Sequence, residues 1–475
     1  MSDTTNDHLI TRTATSWRIV FYLAWPVLVQ QLLILAVSLY DQYLAGTNAP
    51  KDPSQHIPFQ AAQTTANYIA WFISSCSTIV VAGATAMVAR FIGARDMATA
   101  QKVTHQSLIL ALVAGILGTL IMLLLLPTVV RLLALQGTAA QSAVAYLKPI
   151  IWLITCQLIA QAGIGCLIGA GDTRTGPIVL SLVALANIPL SWAAFHGWGP
   201  IPAMGFFGIG LGTALSHVLG CIIVLLVLIR GRFGLKLSLK LLAPHRNLLY
   251  RILRISIPAT IDSASIGLCQ FWFLSIVNSL GDVAAAAHGN AIRCEGLGYM
   301  SGIAFATAAA AMVGQNLGAN KPDQAARSAW IALGMGALLM SVMGVLFYSF
   351  AYEMMHFFNP YDHQQATVAA GVPILRLVAF AMPPLAAIII LQGALRGAGD
   401  TRYPILITWI GFLLVRIPLA YYLTHPHLDL GSLGTLEGYN FGLIGAWSAM
   451  FADLLLRGAL FVHRFLLGRW KLVQV

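Results

Sequence analysis

The sequence predicts an all-α polytopic membrane protein with twelve transmembrane helices in two parallel six-helix repeats. Three observations carry that prediction. The chain is 58% hydrophobic and only 9% charged, with a mean hydropathy of +0.80. Soluble proteins carry charge at about a quarter of their positions, so this one cannot clothe a water-facing surface and its main solvent is lipid. Apolar runs of about 20 residues or more, enough to cross a bilayer core, recur along the whole chain. The string GAGDTR occurs twice, at Gly169–Arg174 and Gly397–Arg402, 228 positions apart.

In chain order the runs cover 18–45, 61–89, 104–130, 143–168, 177–197, 205–229, 253–280, 284–314, 326–350, 367–395, 404–424 and 441–465. Each is too long for a strand and lacks alternation. A helix satisfies its backbone internally, as the bilayer core requires. Residues 1–17 are polar, with no cleavable-signal pattern, and the first apolar run exceeds a signal h-region. The spans divide the chain into a tail (1–17), a first lobe (18–229), a basic linker (230–252), a second lobe (253–465) and a closing tail (466–475).

Lysine and arginine give the orientation. The N-terminus, every second loop and the C-terminal tail together hold 20 of the 27 basic residues. The opposite loops hold Lys51, Arg131 and Lys148, and four arginines (Arg293, Arg376, Arg416, Arg457) lie within spans. Both termini are therefore expected in the cytoplasm, with the chain in the cell inner membrane. The net charge of +11 follows from this asymmetry, and with no soluble basic domain it implies no nucleic-acid partner. All six cysteines lie in apolar runs without CxxC or zinc spacing, which predicts free thiols and no metal site.

The neighbourhoods of the two GAGDTR copies also match. Ile188–Leu190 and Ile417–Leu419 both read IPL, and MVARFIGA (Met87–Ala94) parallels MVGQNLGA (Met312–Ala319). Six spans separate the copies, so the halves have parallel topology, a transporter architecture. The motif itself reads as scaffold: its glycines allow a tight turn, and Asp172/Thr173 or Asp400/Thr401 can cap the next helix.

VSLYDQYLAG (Val37–Gly46), AAAAHGNAIR with MVGQNLGANKPDQA (within Ala284–Ala325), GALRGAGDTRYP and VRIPLAYY together resemble the multidrug and toxic compound extrusion (MATE) transporters. The resemblance runs in family order from about residue 18 to 465. It implies two six-helix lobes in a V shape and alternating access. It also implies export of amphipathic, often cationic compounds driven by inward movement of H⁺ or Na⁺, with no other cofactor. The expected partners are the lipid bilayer and small organic cations, and the chain is read as a monomer.

An ionisable residue inside a span is costly and functional by default. Asp41 lies at the edge of a polar stripe with Gln31, Ser38 and Gln42, and the resemblance places an acid at the end of this helix. An interfacial aspartate is the alternative. The family's amino-terminal site also draws on the fifth and sixth helices, where Asn187 and Thr213 fall on matching positions. Ser191 stands where a second carboxylate often occurs. In the seventh span the family's glutamate position is Ile266, with Asp262 one turn nearer the cytoplasm. The eighth carries Glu295 about eleven residues in, or ~16 Å deep, near the midplane. There an unpaired carboxylate must be protonated or bound to something. Arg293 points to another face, so Arg376 is the expected partner if Glu295 is a static ion pair. Asp453 and Arg457, four apart, can neutralise one another; Arg416 is expected against internal carbonyls or Asp453 and is given no role. The outer sequence THPHLDL (Thr424–Leu430) reads as an exposed loop.

The leading function is a secondary antiporter for amphipathic drugs or metabolites. A flippase for lipid-linked sugars would prefer a basic central cavity, and the intramembrane arginines keep it in view. A polytopic enzyme lacks support: HExxH, GxSxG, the P-loop and paired protease aspartates are all missing.

Overall fold

The structure is a computed structural model describing residues 17–47, 75–132 (except 76), 137–238 (except 201), 241–358 (except 242), 365–429 and 435–473; over 35–47, 129–132, 137–140, 428–429 and 435–436, and at 142, 206 and 282, it describes the backbone alone. Helices run α1 Trp17–Thr47, α2 Thr78–Gly93, α3 Met97–Leu132, α4 Gly137–Trp152, α5 Ile154–Gly169, α6 Thr175–His196 and α7 Phe206–Ile229. They continue as α8 Arg246–Asn278, α9 Asp282–Gly318, α10 Pro322–Ser349, α11 Ala351–Phe358, α12 Gln365–Ala398, α13 Arg402–Trp409, α14 Ile417–Thr424 and α15 Gly442–Leu466. Between α13 and α14, Ile410–Arg416 is a π-helix. Pro418 has no N–H for the Leu414 carbonyl, so the widened register falls where the ordinary bond cannot form.

Among the described residues, 10 helices are long and apolar enough to cross a membrane. The fourth expected span, 143–168, is broken: Ala143–Trp152 and Ile154–Gly169 meet at a 55° bend and count as an eleventh crossing if taken as one. The second span appears as the shorter apolar helix α2, and much of its expected first part lies outside the described residues. The expected loop at Thr424–Leu430 carries strand β1 (His427–Asp429), which pairs antiparallel with β2 (Thr435–Glu437). No metal-binding cluster occurs among the described residues, and Cys156, Cys166, Cys221, Cys269 and Cys294 are free thiols.

The chain forms two compact units, residues 25–260 and residues 261–475 with the chain up to Ala24. The division falls inside α8. Its first half belongs to the first unit, where the Ser256 hydroxyl accepts from the Gly83 amide at 2.9 Å.

Each unit repeats the same packing devices. In the first, Gly169 of α5 lies against α2, and a Cβ there would come 2.6 Å from the Thr85 carbonyl oxygen. In the second, Gly393 of α12 would put a Cβ 2.7 Å from the Ala306 carbonyl of α9, and Gly397 would overlap the Ala310 carbonyl. Glycines four apart (Gly165 and Gly169, Gly393 and Gly397) let helix backbones touch, which drives association where lipid removes the hydrophobic incentive. The motif turns match as well. Gly171 and Gly399 have φ of 94° and 87°, a region open to glycine.

Both motif aspartates are buried, and each takes an arginine from the end of its own unit. Asp172 Oδ2 accepts from Arg232 Nε at 2.6 Å, and Asp400 Oδ2 accepts from Arg464 Nη2 at 2.6 Å. Asp172 also accepts from the Thr175 amide at 3.0 Å and the Thr175 hydroxyl at 2.5 Å, so it fixes the start of α6. The scaffold reading of the motif gains an ion pair in each unit that the sequence did not disclose.

Candidate functional site

The second unit carries charge deep inside an otherwise apolar packing. Asp262 of α8 is fully buried. Its Oδ2 accepts from Gln392 Nε2 at 2.6 Å and Arg396 Nη2 at 2.9 Å, both on α12, and its Oδ1 accepts from the Thr408 hydroxyl of α13 at 2.7 Å. Three donors on one carboxylate make Asp262 a tie between three elements. The expected functional aspartate is thus a saturated one.

A second cluster lies on the π-helix and α15. Asp453 is 0% exposed, Arg416 2% and Arg457 5%. Arg416 Nη2 meets Asp453 Oδ2 at 2.6 Å. Arg457 closes a fork on the same carboxylate, Nε to Oδ1 and Nη2 to Oδ2, both at 2.7 Å. Both guanidiniums also stack on Phe412, at 4.3 Å and 4.6 Å from the ring centroid, and Arg416 Nη1 reaches Gln270 Oε1 at 3.5 Å. Desolvated cation–π contacts of this kind contribute about 2 kcal/mol, which offsets part of the cost of burying charge. Gly411 makes the room, since a Cβ there would overlap both Asp453 Oδ1 and the Arg457 stem. Two arginines share one aspartate, so this cluster alone carries one excess positive charge.

Glu295 of α9 is half-buried. Among the described residues its carboxylate makes no hydrogen bond or ion pair, yet it lies within electrostatic reach of Arg416. Asp262 is already paired with Arg396, and Glu295 and Asp453 together balance Arg416 and Arg457. The set is neutral only while Glu295 is ionised.

The expected Glu295–Arg376 pair is not present. Arg376 lies on the exposed stripe of α12 with Pro373 and Phe380, and its guanidinium is 5.6 Å from the Tyr348 ring centroid. Depth along the two helices was compatible, but the helical phase of Arg376 turns it away from the packed face. The Asp453–Arg457 pair is present as expected, and Arg416 joins it. His288 packs between Phe273 and Trp447, at centroid distances of 5.9 and 5.3 Å.

In the first unit the structure brings Asn187 and Thr213 together, the Asn187 amide donating to the Thr213 hydroxyl at 3.0 Å. The Ser191 hydroxyl donates to Asn187 Oδ1 at 3.2 Å. Gly212 sets the spacing, since a Cβ there would come 2.4 Å from the Ser191 amide, that is, into overlap. This is a neutral polar cluster. Asp41 falls within α1, and its side chain lies outside the described residues. Sequence reasoning missed Gln270, Gln392, Arg396 and Thr408. Glutamines in apolar runs were the available signal for the first two.

A many-helix fold with saturated and unsaturated charges inside its packing defines a polytopic membrane carrier. The sequence model of the MatE family (MatE) matches residues 26–193 and 258–422. The chain therefore belongs to the MatE family, and it is a transporter, not an enzyme. The two matched segments fall one in each half, as the duplicated motif requires. A probable multidrug resistance protein NorM of Thermotoga maritima is 28% identical over 408 residues, covering 85% of this chain and 84% of its own. The multidrug resistance protein MdtK of Yersinia pseudotuberculosis is 25% identical over 438 residues, covering 92% and 93%. Among solved structures, a MOP superfamily transporter from Pyrococcus furiosus, described as having a binding pocket of reverse polarity, superposes with a TM-score of 0.86 at 20% identity over 98% of both chains. An outward-facing multidrug resistance MATE family transporter gives 0.84 at 21% identity over 95% of both. These two likenesses establish the fold.

Proposed function

We propose that the protein is a secondary antiporter that exports amphipathic, often cationic drugs or metabolites in exchange for H⁺ or Na⁺. It would sit in the inner membrane as a monomer, with both termini cytoplasmic. The observation that carries this reading is Glu295: a carboxylate with no hydrogen-bond partner among the described residues, whose charge balances the excess guanidinium of the Arg416–Asp453–Arg457 cluster. A proton, a sodium ion or an organic cation arriving there changes the balance in the same way, so ion and substrate compete for one site. Antiport needs this, because two ligands must bias one conformational equilibrium differently. The names of the NorM and MdtK relatives support the drug-export part. Asn187 and Thr213, with Asp41 from α1, form the second candidate group, in which Asp41 would act with neutral ligands. Asp262 contributes as the tie that holds α8, α12 and α13 in register.

A lipid-linked sugar flippase remains the second reading, favoured by the excess guanidinium of the Arg416–Asp453–Arg457 cluster, which suits a phosphate. Sealed vesicles separate the two: gradient-driven dye efflux supports the antiporter, and translocation of a labelled lipid-linked sugar without dye movement refutes it. Asp41→Asn is expected to lower efflux without lowering membrane abundance. Normal efflux with unchanged ion dependence removes Asp41 from the mechanism.

A further inference from the structure

The described residues between α7 and α8 are held, not loose. Three side chains on one stretch of α3 grip their backbone. Gln101 Nε2 donates to the Gly234 carbonyl at 2.7 Å. His105 Nε2 accepts from the Ser238 amide at 2.8 Å, while Nδ1 faces the Gln101 carbonyl at 2.7 Å. Gln106 clamps a third point, donating to the Ala243 carbonyl at 2.9 Å and accepting from the His245 amide at 2.8 Å. Leu235 within the segment is buried, and Arg232 anchors the segment to Asp172.

Residues 230–254 contain seven lysines and arginines and no acid. Arg230, Lys236, Arg246 and Arg254 are exposed and, among the described residues, pair with no carboxylate. Two membrane-crossing helices end here, at Ile229 and Arg246, so these side chains lie at headgroup level. Tyr250, 65% exposed, is the kind of aromatic that sits at a bilayer interface. Topology alone needs positive charge on this side; it does not need a backbone clamped at three points beneath it.

We propose that this segment and the start of α8 form an ordered docking platform for anionic lipid headgroups, with Arg230 and Lys236 of the segment and Arg246 and Arg254 of α8 as its phosphate-facing donors. Basic residues near a membrane surface attract anionic lipids additively, and the pinned backbone around Arg230 and Lys236, with helix α8 under Arg246 and Arg254, presents the four with little backbone ordering cost on binding. The proposal is independent of the antiport reading.

The test is retention of phosphatidylglycerol against phosphatidylcholine by the full chain in native mass spectrometry. The wild type is expected to retain phosphatidylglycerol preferentially. The quadruple variant R230Q/K236Q/R246Q/R254Q should lose about tenfold or more of that retention with an unchanged melting temperature. The control K321Q/R327Q/R402Q/R469Q, equal in charge, should retain it. Should the quadruple variant fail to fold, Q101A/Q106A keeps every charge and loosens the clamp, and it too should retain less. Equal retention of the two lipids, equal loss in the control, no loss on unclamping, or displacement of the lipid by inorganic phosphate at equal concentration would each overturn the proposal.

Discussion

Asp453 and Glu295 are two carboxylates in one unit with opposite duties, and their hydrogen bonding separates them. Asp453 receives both arginines, so removing its charge leaves two buried guanidiniums facing each other. Asp453→Asn is expected to cost about 3–5 kcal/mol, read as a clear drop in melting temperature in detergent; an unchanged melt contradicts the account of that cluster. Glu295 has no such partner, so Glu295→Gln should melt with the wild type. Arg376→Gln should leave transport unchanged, because Arg376 rests on Tyr348 at the exposed face. An ionisable residue within an apolar run is visible in a sequence, which is why Asp262, Glu295 and Asp453 were legible. Their partners were not, except Arg457, four residues from Asp453, and Arg416, weighed as a contact of Asp453. The others arrive from different helices, and helical phase, which decided against Arg376, is set by tertiary packing.

At the scale of elements, the motif turns and glycine contacts carry the fold. Gly399 has φ 87°, and an L-residue in that region costs about 1–2 kcal/mol. Gly399→Ala should lower the melting temperature modestly, and Gly171→Ala should do the same in the other unit. Gly397→Val should be worse, because its Cβ would overlap the Ala310 carbonyl, and backbone cannot step aside as a side chain can. Wild-type melting in Gly397→Val contradicts the close approach of α12 and α9. Most spans were legible from length and apolarity alone. The 55° bend at Leu153 was not, since neither glycine nor proline stands at the break. The π-helix had one cue, Pro418, whose effect depends on what surrounds it.

The whole molecule is a duplicated unit, and that was legible because the turn chemistry constrains it: GAGDTR keeps its left-handed glycine and its aspartate–arginine tie in both copies. The exact number of crossings was less so, since α2 and the broken α4–α5 pair depart from a uniform helix. Orientation rests on the lysine and arginine distribution. In a cysteine-free background, a cysteine at His427 should react with an impermeant reagent added outside intact cells, and one at Lys236 only after permeabilisation. The reverse pattern inverts the topology.

The central claim is that Glu295 is where ion and substrate exchange. The most direct measurement reconstitutes wild type and Glu295→Gln in sealed proteoliposomes and follows efflux of a cationic dye under an imposed pH gradient, then under an imposed sodium gradient. The account predicts gradient-driven efflux in the wild type with at least one ion, and none in Glu295→Gln despite equal reconstitution and equal melting temperature. Gradient-driven efflux at the wild-type rate in Glu295→Gln would contradict it.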